Sequence, residues 1–373
     1  MFTKGTKISN PALTAKMNKS IGVLVGTVLK IALSDFRMAS ALLASLKYQK
    51  KAASLRSLHE KKGLHVPPFM IASIVRACNL KCTGCYDKAK QDDASGSDKA
   101  SCSPPELDSS SWARIFGEAR SLGVSFILLA GGEPLLKEQV IRECVNFPEI
   151  IFPLFTNALL INESWLEYFE SARNVIPIIS IEGDEVQTDT RRGEGVHSKV
   201  MANVARLQKG KIMYGASITV NAANFETVFS ESYIRVLVEG GARVFFFVEY
   251  VPFDASTEYL VVTKDQKKAL PGKLGMLRTR FRSLFLDFPG DEAAFGGCLA
   301  SGRGFVHINA SGGVESCPFA PYSDTGLATL SLSHALASPL LSRIRALQEE
   351  LGHNGGCTLF ENKEKVEALL TSL

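Results

Sequence analysis

The sequence predicts an α/β fold with a largely parallel sheet. From residue 68 onward, apolar runs typical of buried strands alternate with helical patterns, and no repeat of 20–50 residues underlies this alternation. Six successive β-then-α units require parallel pairing in a sheet that is either open or curled. The predicted strands are 70–76, 125–130, 150–156, 175–181, 212–219 and 243–248. The predicted helices are 107–121, 136–146, 163–172, 197–208, 226–239 and 264–284.

Residues 1–66 are predicted to form a basic, helical N-terminal extension. Residues 1–62 hold twelve Lys and Arg against Asp35 and Glu60, a net charge of +10 in a chain whose total is +4. The apolar stretch 20–29 lies between Lys19 and Lys30 and is too short to span a bilayer. The helical pattern from Leu29 to Ser57 leaves two alternatives open: peripheral membrane contact through residues 1–62, or a helical extension packed on the body.

Length and composition exclude several classes of protein. A chain of 373 residues, 46% hydrophobic and 21% charged, is long enough for one large globular domain and a smaller one. No secretory signal and no evenly spaced cysteine framework are present, so a reduced, cytoplasmic protein is expected. Nucleic-acid binding is not expected, because the basic segment lacks interleaved aromatic residues and any recognised motif.

A Cys-x3-Cys-x2-Cys motif follows the first predicted strand, at Cys78, Cys82 and Cys85. Three thiolates on one short loop can hold three irons of a [4Fe–4S] cube and leave the fourth iron open. Zinc is the alternative, but structural zinc normally takes four ligands, and the nearest further cysteine is Cys102, beyond the polar insertion Asp87–Pro105. That insertion is predicted to be a surface loop, with a lid as the alternative.

A second motif, Gly131-Gly132-Glu133-Pro134, ends the second predicted strand. Its glycines allow backbone to approach a ligand closely, and Glu133 can accept hydrogen bonds from a cationic amine. Taken alone, the segment would more often be an ordinary turn. The two motifs together, in this order, resemble the radical S-adenosylmethionine (radical SAM) superfamily. The resemblance implies a partial (β/α)6 TIM-like barrel at 67–288 and a SAM-binding [4Fe–4S] cluster on the three cysteines.

Further positions match the pattern of that superfamily. Phe155-Thr156-Asn157-Ala158 resembles its Thr-Asn-Gly turn, and Ser180-Ile181-Glu182-Gly183-Asp184 resembles its Ser-Leu-Asp-Gly turn. Arg192 follows Ser180 at the spacing of the arginine that pairs with the SAM carboxylate, although neighbouring Arg191 leaves the assignment open. From the sequence alone, a surface-loop role for both arginines is as plausible. The residues that the resemblance implies for SAM binding are Tyr86, Gly131, Gly132, Glu133, Pro134, Thr156, Asn157, Ser180, Glu182 and Arg192.

The C-terminal region, 289–373, holds Cys298, Cys317 and Cys357 around a predicted hairpin in which Val306 and Ile308 alternate and Val314 begins the return strand. This arrangement resembles the auxiliary-cluster domains called SPASM or Twitch and implies a second [4Fe–4S] cluster. Three cysteines leave either an open iron or a non-cysteine fourth ligand, such as His307 or His353. Buried free thiols are the alternative. Cys102 and Cys144 are interpreted as incidental.

The resemblance implies a radical SAM oxidoreductase or maturase. In the mechanism of that superfamily, reductive cleavage of SAM yields methionine and a 5′-deoxyadenosyl radical, which abstracts hydrogen from a substrate, here a peptide or small molecule. A flavodoxin- or ferredoxin-type reductant would supply the electron. A lipid or membrane-associated substrate is one alternative, and a non-catalytic Fe–S electron carrier or scaffold is another. The sequence identifies no catalytic acid or base.

Overall fold

The computed structural model describes residues 10–32, 36–87, 104–253, 255–351 and 357–371. Its strands are β1 (Phe69–Val75), β2 (Phe126–Gly131), β3 (Phe152–Thr156), β4 (Val175–Ser180), β5 (Tyr214–Val220), β6 (Ala242–Glu249), β7 (Leu284–Phe288), β8 (Phe305–Ile308) and β9 (Val314–Glu315). The helices are α1 (Pro11–Ala32), α2 (Phe36–Lys61), α3 (Ser109–Leu122), α4 (Glu138–Glu143), α5 (Glu163–Ser171), α6 (Glu185–Arg192), α7 (Val196–Lys209), α8 (Phe225–Val228), α9 (Glu231–Glu239), α10 (Lys264–Arg280), α11 (Leu332–Leu336), α12 (Pro339–Leu351), α13 (Thr358–Glu361) and α14 (Lys363–Thr371). Short 3₁₀ turns occupy Pro134–Lys137, Cys144–Asn146, Ala255–Leu260 and Gly290–Phe295.

The strands form one sheet in the order β7-β6-β5-β4-β3-β2-β1-β8-β9. Every neighbouring pair is parallel except β8 with β9. The predicted α/β fold with a parallel sheet is therefore confirmed. The sheet is curled, because the rings of Phe155 in β3 and Phe246 in β6 lie 5.0 Å apart. Three strand spacings in a flat sheet would separate their backbones by roughly 14 Å.

Alternation along each strand divides the core into two layers. Phe245 and Phe247 of β6 belong to the large core beneath the helices, which also contains Phe229 and Phe285. Phe246 points to the opposite face and packs with Ile178 of β4. Successive strand residues point to opposite faces. The interior of the curled sheet is consequently lined by apolar side chains from β2 to β7, namely Leu128, Phe155, Ile176, Ile178, Val244, Phe246, Leu284, Leu286 and Phe288.

The N-terminal extension is helical, as predicted, and packs on the body of the protein. Ile21 and Val25 of α1 are buried in one apolar cluster with Phe126, at the start of β2. Arg56 of α2 is 1% exposed, donates to Ser125 Oγ at 2.7 Å and also donates to the carbonyl of Gly123. These contacts cover the end of the sheet where β1 and β2 begin, and they support the packed alternative for this segment.

The predicted single helical pattern from 29 to 57 is divided between α1 and α2. Of the side chains on which that pattern rested, Leu46 packs against the cluster of Ile21 and Val25. The others, Ile31, Phe36, Met38, Leu42 and Leu43, lie outside the described side chains. None of the helices in the described part of the chain combines the length and the apolar character that a membrane crossing requires.

Several predicted helix boundaries were wrong. The helix predicted at 264–284 ends at Arg280, because Leu284–Phe288 alternate as an additional strand, β7, beside β6. The helix predicted at 226–239 is divided into α8 and α9, since the Ser230 hydroxyl accepts from Tyr233 N and begins a new helix. The helix predicted at 136–146 is one short α-helix, α4, flanked by 3₁₀ turns.

The predicted C-terminal hairpin is present, but its first strand has an unpredicted neighbour. β8 pairs in parallel with β1, with Met70 opposite Val306 and Ala72 opposite Ile308. The sheet of the barrel therefore continues across the boundary placed between 288 and 289. Most of the insertion predicted at Asp87–Pro105, residues 88–103, lies outside the described residues, as do Cys102 and His353.

Candidate functional site

The predicted motifs all lie at one edge of the sheet. The cysteine loop follows β1, the Gly-Gly-Glu-Pro turn follows β2, the Thr-Asn turn follows β3, and Glu182 follows β4. Because these strands are parallel, their carboxyl ends share one edge, which is where α/β barrels place their chemistry. Ser180, the last residue of β4, is half-buried beside Ser217 of β5.

The two glycines at the end of β2 pack against the start of the cysteine loop. Gly132 N donates to Val75 O at 2.9 Å, and Glu133 N donates to Ala77 O at 2.9 Å. A Cβ on Gly132 would stand 2.2 Å from Ala77 O, and Gly131 has φ of +128°. We predicted that these glycines let the backbone approach a ligand closely. In the structure, the glycine backbone instead approaches the backbone that leads into Cys78.

Glu133 anchors this turn to the end of β3. Its carboxylate is 1% exposed and accepts from Leu135 N at 3.0 Å, Thr156 Oγ1 at 2.7 Å and Asn157 N at 2.8 Å. Burial raises the pKa of Glu133, and the hydrogen bonds oppose that shift. A carboxylate has about four acceptor positions, so one remains for a further donor. Pro134 is buried and begins the 3₁₀ turn.

Asn157 links the β3 turn to the cysteine loop. Its Nδ2 donates to Asn79 Oδ1 at 2.7 Å. Ala158, which occupies the position of a glycine in the superfamily pattern, has φ of +65°, in the left-handed region that favours glycine. The turn therefore keeps the glycine-like backbone without the glycine.

Glu182 binds both candidate arginines. Its Oε1 accepts from Arg191 Nη1 at 2.5 Å and from Arg192 Nη2 at 2.5 Å and Nε at 2.9 Å. Its Oε2 accepts from Thr219 N at 3.1 Å, and the side chain is 1% exposed. The surface-loop alternative for Arg191 and Arg192 is wrong, because their side chains are only 12% and 10% exposed.

The arginine pair also borders the cysteine loop. Thr83 N donates to Arg191 O at 2.8 Å. Burial raises the pKa of Cys82, and the positive charges of Arg192 and Arg191 oppose that shift. Arg192 also acts electrostatically on Cys85 and Glu133. One hydrogen-bonded framework thus connects all four strand-end turns.

Two aromatic residues pack against the cysteine loop. The Tyr86 hydroxyl hydrogen-bonds Ser73 of β1, and its ring packs edge-on against Phe319 at 5.5 Å. Tyr250, after β6, is 3% exposed, and a Cβ on Gly84 would meet its hydroxyl at 2.4 Å. Nothing in the sequence marked Tyr250 as a site residue.

The residues at this edge fit a cluster and SAM. Cys78 is exposed, and Cys82 and Cys85 are half-buried. The Arg191 Nε and Tyr250 hydroxyl, both beside the cysteine loop, are buried without a hydrogen-bond partner among the described residues, so each can bind an added group. The described residues contain no set of three His, Cys, Asp or Glu side chains that could hold a single metal ion. Cysteines of a cubane bind different irons and need not converge on one point.

The C-terminal cysteines also lie near one another. Cys317 is buried, and Cys298 and Cys357 are half-buried. The charge of either Cys298 or Cys357 would raise the pKa of Cys317, in addition to the larger effect of burial. Cys144, interpreted as incidental, is buried in the core beneath the helices. Three segments that are far apart in sequence therefore bring these three thiols into one group, which we call the C-terminal cysteine nest.

His307 was wrongly considered as a fourth ligand in that nest. Its Nε2 hydrogen-bonds Ser73 Oγ at 2.7 Å, and its Nδ1 hydrogen-bonds Glu315 Oε2 at 2.6 Å. Both ring nitrogens are engaged, and the side chain is 2% exposed. His307 thus joins β8 to β1 within the sheet, while His353 lies outside the described residues.

Comparisons with known proteins agree with this geometry. Residues 72–225 match the family model of the radical SAM superfamily. The sporulation killing factor maturation protein SkfB of Bacillus subtilis is 26% identical over 186 residues, which cover 48% of this chain and 42% of SkfB. The AdoMet-dependent heme synthase of Methanosarcina barkeri is 25% identical over 285 residues, covering 69% of this chain and 78% of that protein. The chain thus spans less than half of SkfB but most of the heme synthase.

The fold is also found in a solved structure. Streptococcus suis SuiB bound to S-adenosylmethionine superposes with a TM-score of 0.62 at 17% identity, over 82% of this chain and 74% of SuiB. At that identity, the likeness shows a shared fold. The family match over 72–225, with the cysteine loop at the end of β1, identifies these residues as a radical SAM domain.

Proposed function

We propose that this chain is a radical SAM oxidoreductase or maturase, which reductively cleaves S-adenosylmethionine and abstracts hydrogen from a substrate. The observation that carries the proposal is the hydrogen-bonded framework at the carboxyl edge of β1–β4. Glu133 holds Asn157, Asn157 holds Asn79 in the cysteine loop, and the same loop is bonded to Arg191. An electron carrier would not need this framework, because it has no SAM to orient.

Each part of the edge has a role in this proposal. Cys78, Cys82 and Cys85 would hold the SAM-binding cluster, which with SAM supplies one-electron cleavage to a 5′-deoxyadenosyl radical. The turn 131–134 would face the methionine amino group, with one acceptor position of Glu133 still free. The protein's contribution is to orient the bound groups and to exclude water.

We assign the SAM carboxylate to Arg192 rather than Arg191. Arg192 acts electrostatically on Cys82, Cys85 and Glu133, whereas Arg191 acts on Cys82 and is joined to the loop through its backbone carbonyl. The Arg191 Nε remains as a donor for a further group. Glu182 is then a positioning residue that holds the guanidinium planes, and its bonds to both arginines leave it little capacity to bind a ribose. Ser180 and the Tyr250 hydroxyl remain for the nucleoside.

The C-terminal cysteine nest would hold an auxiliary [4Fe–4S] cluster. Cys298 and Cys317 pack in an apolar cluster with Leu340, Ile344 and Leu359, and Cys357 acts electrostatically on Cys317. A flavodoxin- or ferredoxin-type protein is the expected electron donor. We do not extend the proposal to membrane contact, because the apolar face of α1, including Ile21 and Val25, is buried on the barrel.

A precursor peptide is the first candidate substrate. SkfB is named as a maturation protein, and SuiB has been solved bound to its precursor peptide SuiA. A small organic molecule is the second candidate, favoured by the longer match to the heme synthase and by the apolar interior between β2 and β7. A lipid substrate has less support, since the arm on which it depended is packed against the body.

Reductive SAM cleavage tests the proposed activity. With anaerobically reconstituted protein, dithionite and SAM, wild type should form 5′-deoxyadenosine, detectable by mass spectrometry. Cys82→Ala should form none above background, because the cluster loses one of three ligands. Cys144→Ala is the matched control and should behave as wild type, since that buried thiol lies away from the site. No 5′-deoxyadenosine from fully loaded wild type would support the electron-carrier alternative.

A further inference from the structure

A buried carboxylate, Glu292, lies in the C-terminal cysteine nest. It belongs to the 3₁₀ turn Gly290–Phe295, which follows β7, and is 5% exposed. Its carboxylate accepts hydrogen bonds from the backbone of Leu299 and from the Cys298 thiol. Glu292 also acts electrostatically on Cys357. Four potential iron ligands therefore meet in the nest, although only three of them are cysteines.

No strong cationic contact explains the burial of Glu292. Arg303 acts on it electrostatically, but the guanidinium of Arg303 donates to the carbonyls of Cys298 and Phe295. Buried carboxylates are normally paired with a cation or bind a metal. The environment of the Glu292 side chain is therefore typical of a carboxylate that binds a cation or a metal.

We propose that Glu292 is the fourth protein ligand of the auxiliary cluster and binds, through a carboxylate oxygen, the iron that the three cysteines leave free. This inference rests on the proposed auxiliary cluster in the nest. On assembly, the three thiols and the Glu292 carboxyl group release their protons to solvent. Cys298 then has no proton to donate to Glu292. Without a bond to iron, the buried Glu292 carboxylate would lie beside the Cys298 thiolate, with no cation paired to either charge. Binding to iron satisfies both groups.

Two alternatives for this position fit less well, while a third, His353, lies outside the described residues. His307 has both ring nitrogens engaged with Ser73 and Glu315. An iron left open for substrate would place Glu292, buried and negatively charged, beside the vacant position. Ligation by Glu292 gives a closed auxiliary cluster, whose function is to accept or supply electrons rather than to bind substrate. The harder oxygen ligand distinguishes one iron from the other three.

The test isolates the auxiliary cluster in the full-length chain. In a Cys78/Cys82/Cys85→Ala background, iron content and the EPR spectrum of the reduced cluster are measured with and without cyanide, a small ligand for an open iron. The protein with Glu292 intact should hold about four irons and give a spectrum that cyanide does not change. Glu292→Ala should give a cyanide-sensitive spectrum, or lose iron. Glu292→Cys should restore both the iron and the insensitivity to cyanide.

The matched control is Glu361→Ala. Glu361 is exposed and also acts on Cys357, so its loss changes the local charge without removing a buried ligand. It should leave the spectrum insensitive to cyanide. A cyanide-sensitive spectrum with Glu292 intact would overturn the inference, as would an insensitive, fully loaded Glu292→Ala variant. Absence of iron in the Cys78/Cys82/Cys85→Ala background would instead remove the proposed auxiliary cluster itself, so the two failures are distinguishable.

Discussion

Replacing Glu182 by alanine should lower the free energy of unfolding by about 3–5 kcal/mol, the usual cost of removing one partner from a buried ion pair. Two guanidinium groups, 12% and 10% exposed, would lose the carboxylate that they share. Thr219 N would also lose its acceptor. Urea denaturation monitored by circular dichroism measures this change.

Two comparisons make the Glu182 result specific. Glu194→Ala, at an exposed position two residues beyond Arg192, should change the free energy of unfolding by less than about 0.5 kcal/mol. Removing Arg191 and Arg192 together with Glu182 should recover part of the loss, because no buried cation then remains unpaired. Equal stability of Glu182→Ala and Glu194→Ala would show that the ion pairs do not hold this edge together.

Replacing Gly132 by alanine should cost about 2–3 kcal/mol of stability and displace the cysteine loop. The new Cβ would stand 2.2 Å from Ala77 O and 2.5 Å from Arg76 O, so backbone has to move at the residues that lead into Cys78. We therefore expect a lower iron content after reconstitution than in wild type, together with a lower midpoint in urea.

Gly117→Ala is the matched control for Gly132→Ala. Gly117 lies inside α3, and its added Cβ would meet only the Phe147 ring, at 3.7 Å. Alanine there should raise stability by about 0.5–1 kcal/mol, since glycine is unfavourable within a helix. Wild-type iron content and stability in Gly132→Ala would contradict the tight packing of the β2 turn on the cysteine loop.

The strand-end motifs could be predicted from the sequence because each is local. The cysteine spacing, the glycine pair and the turns after β3 and β4 each lie within a few residues of an apolar run, and parallel strands bring such ends to one edge. The roles of individual side chains were less predictable. Glu133 and Glu182 bind protein donors in the structure, and the pattern alone did not reveal these partners.

Contacts between distant segments could not be read from the sequence. Tyr250 meets Gly84 across the barrel, and Glu292 meets Cys357 only through the packing of the C-terminal region. The short strand β7 was not predicted, and the helix predicted at 264–284 reached its first residue, because no Gly or Pro separates Arg280 from Leu284. His307 appeared to be a free ligand because the pairing of β8 with β1 is set by tertiary structure and not by local pattern.

The most direct test of the account is the amount of iron and acid-labile sulfide per chain after anaerobic reconstitution, in wild type and in Cys78/Cys82/Cys85→Ala. The strand-end cysteine loop and the C-terminal cysteine nest are proposed as two separate cluster sites. About eight irons should therefore fall to about four. About four irons falling to none would show that Cys298, Cys317 and Cys357 are structural thiols, and zinc in place of iron would contradict the account as a whole.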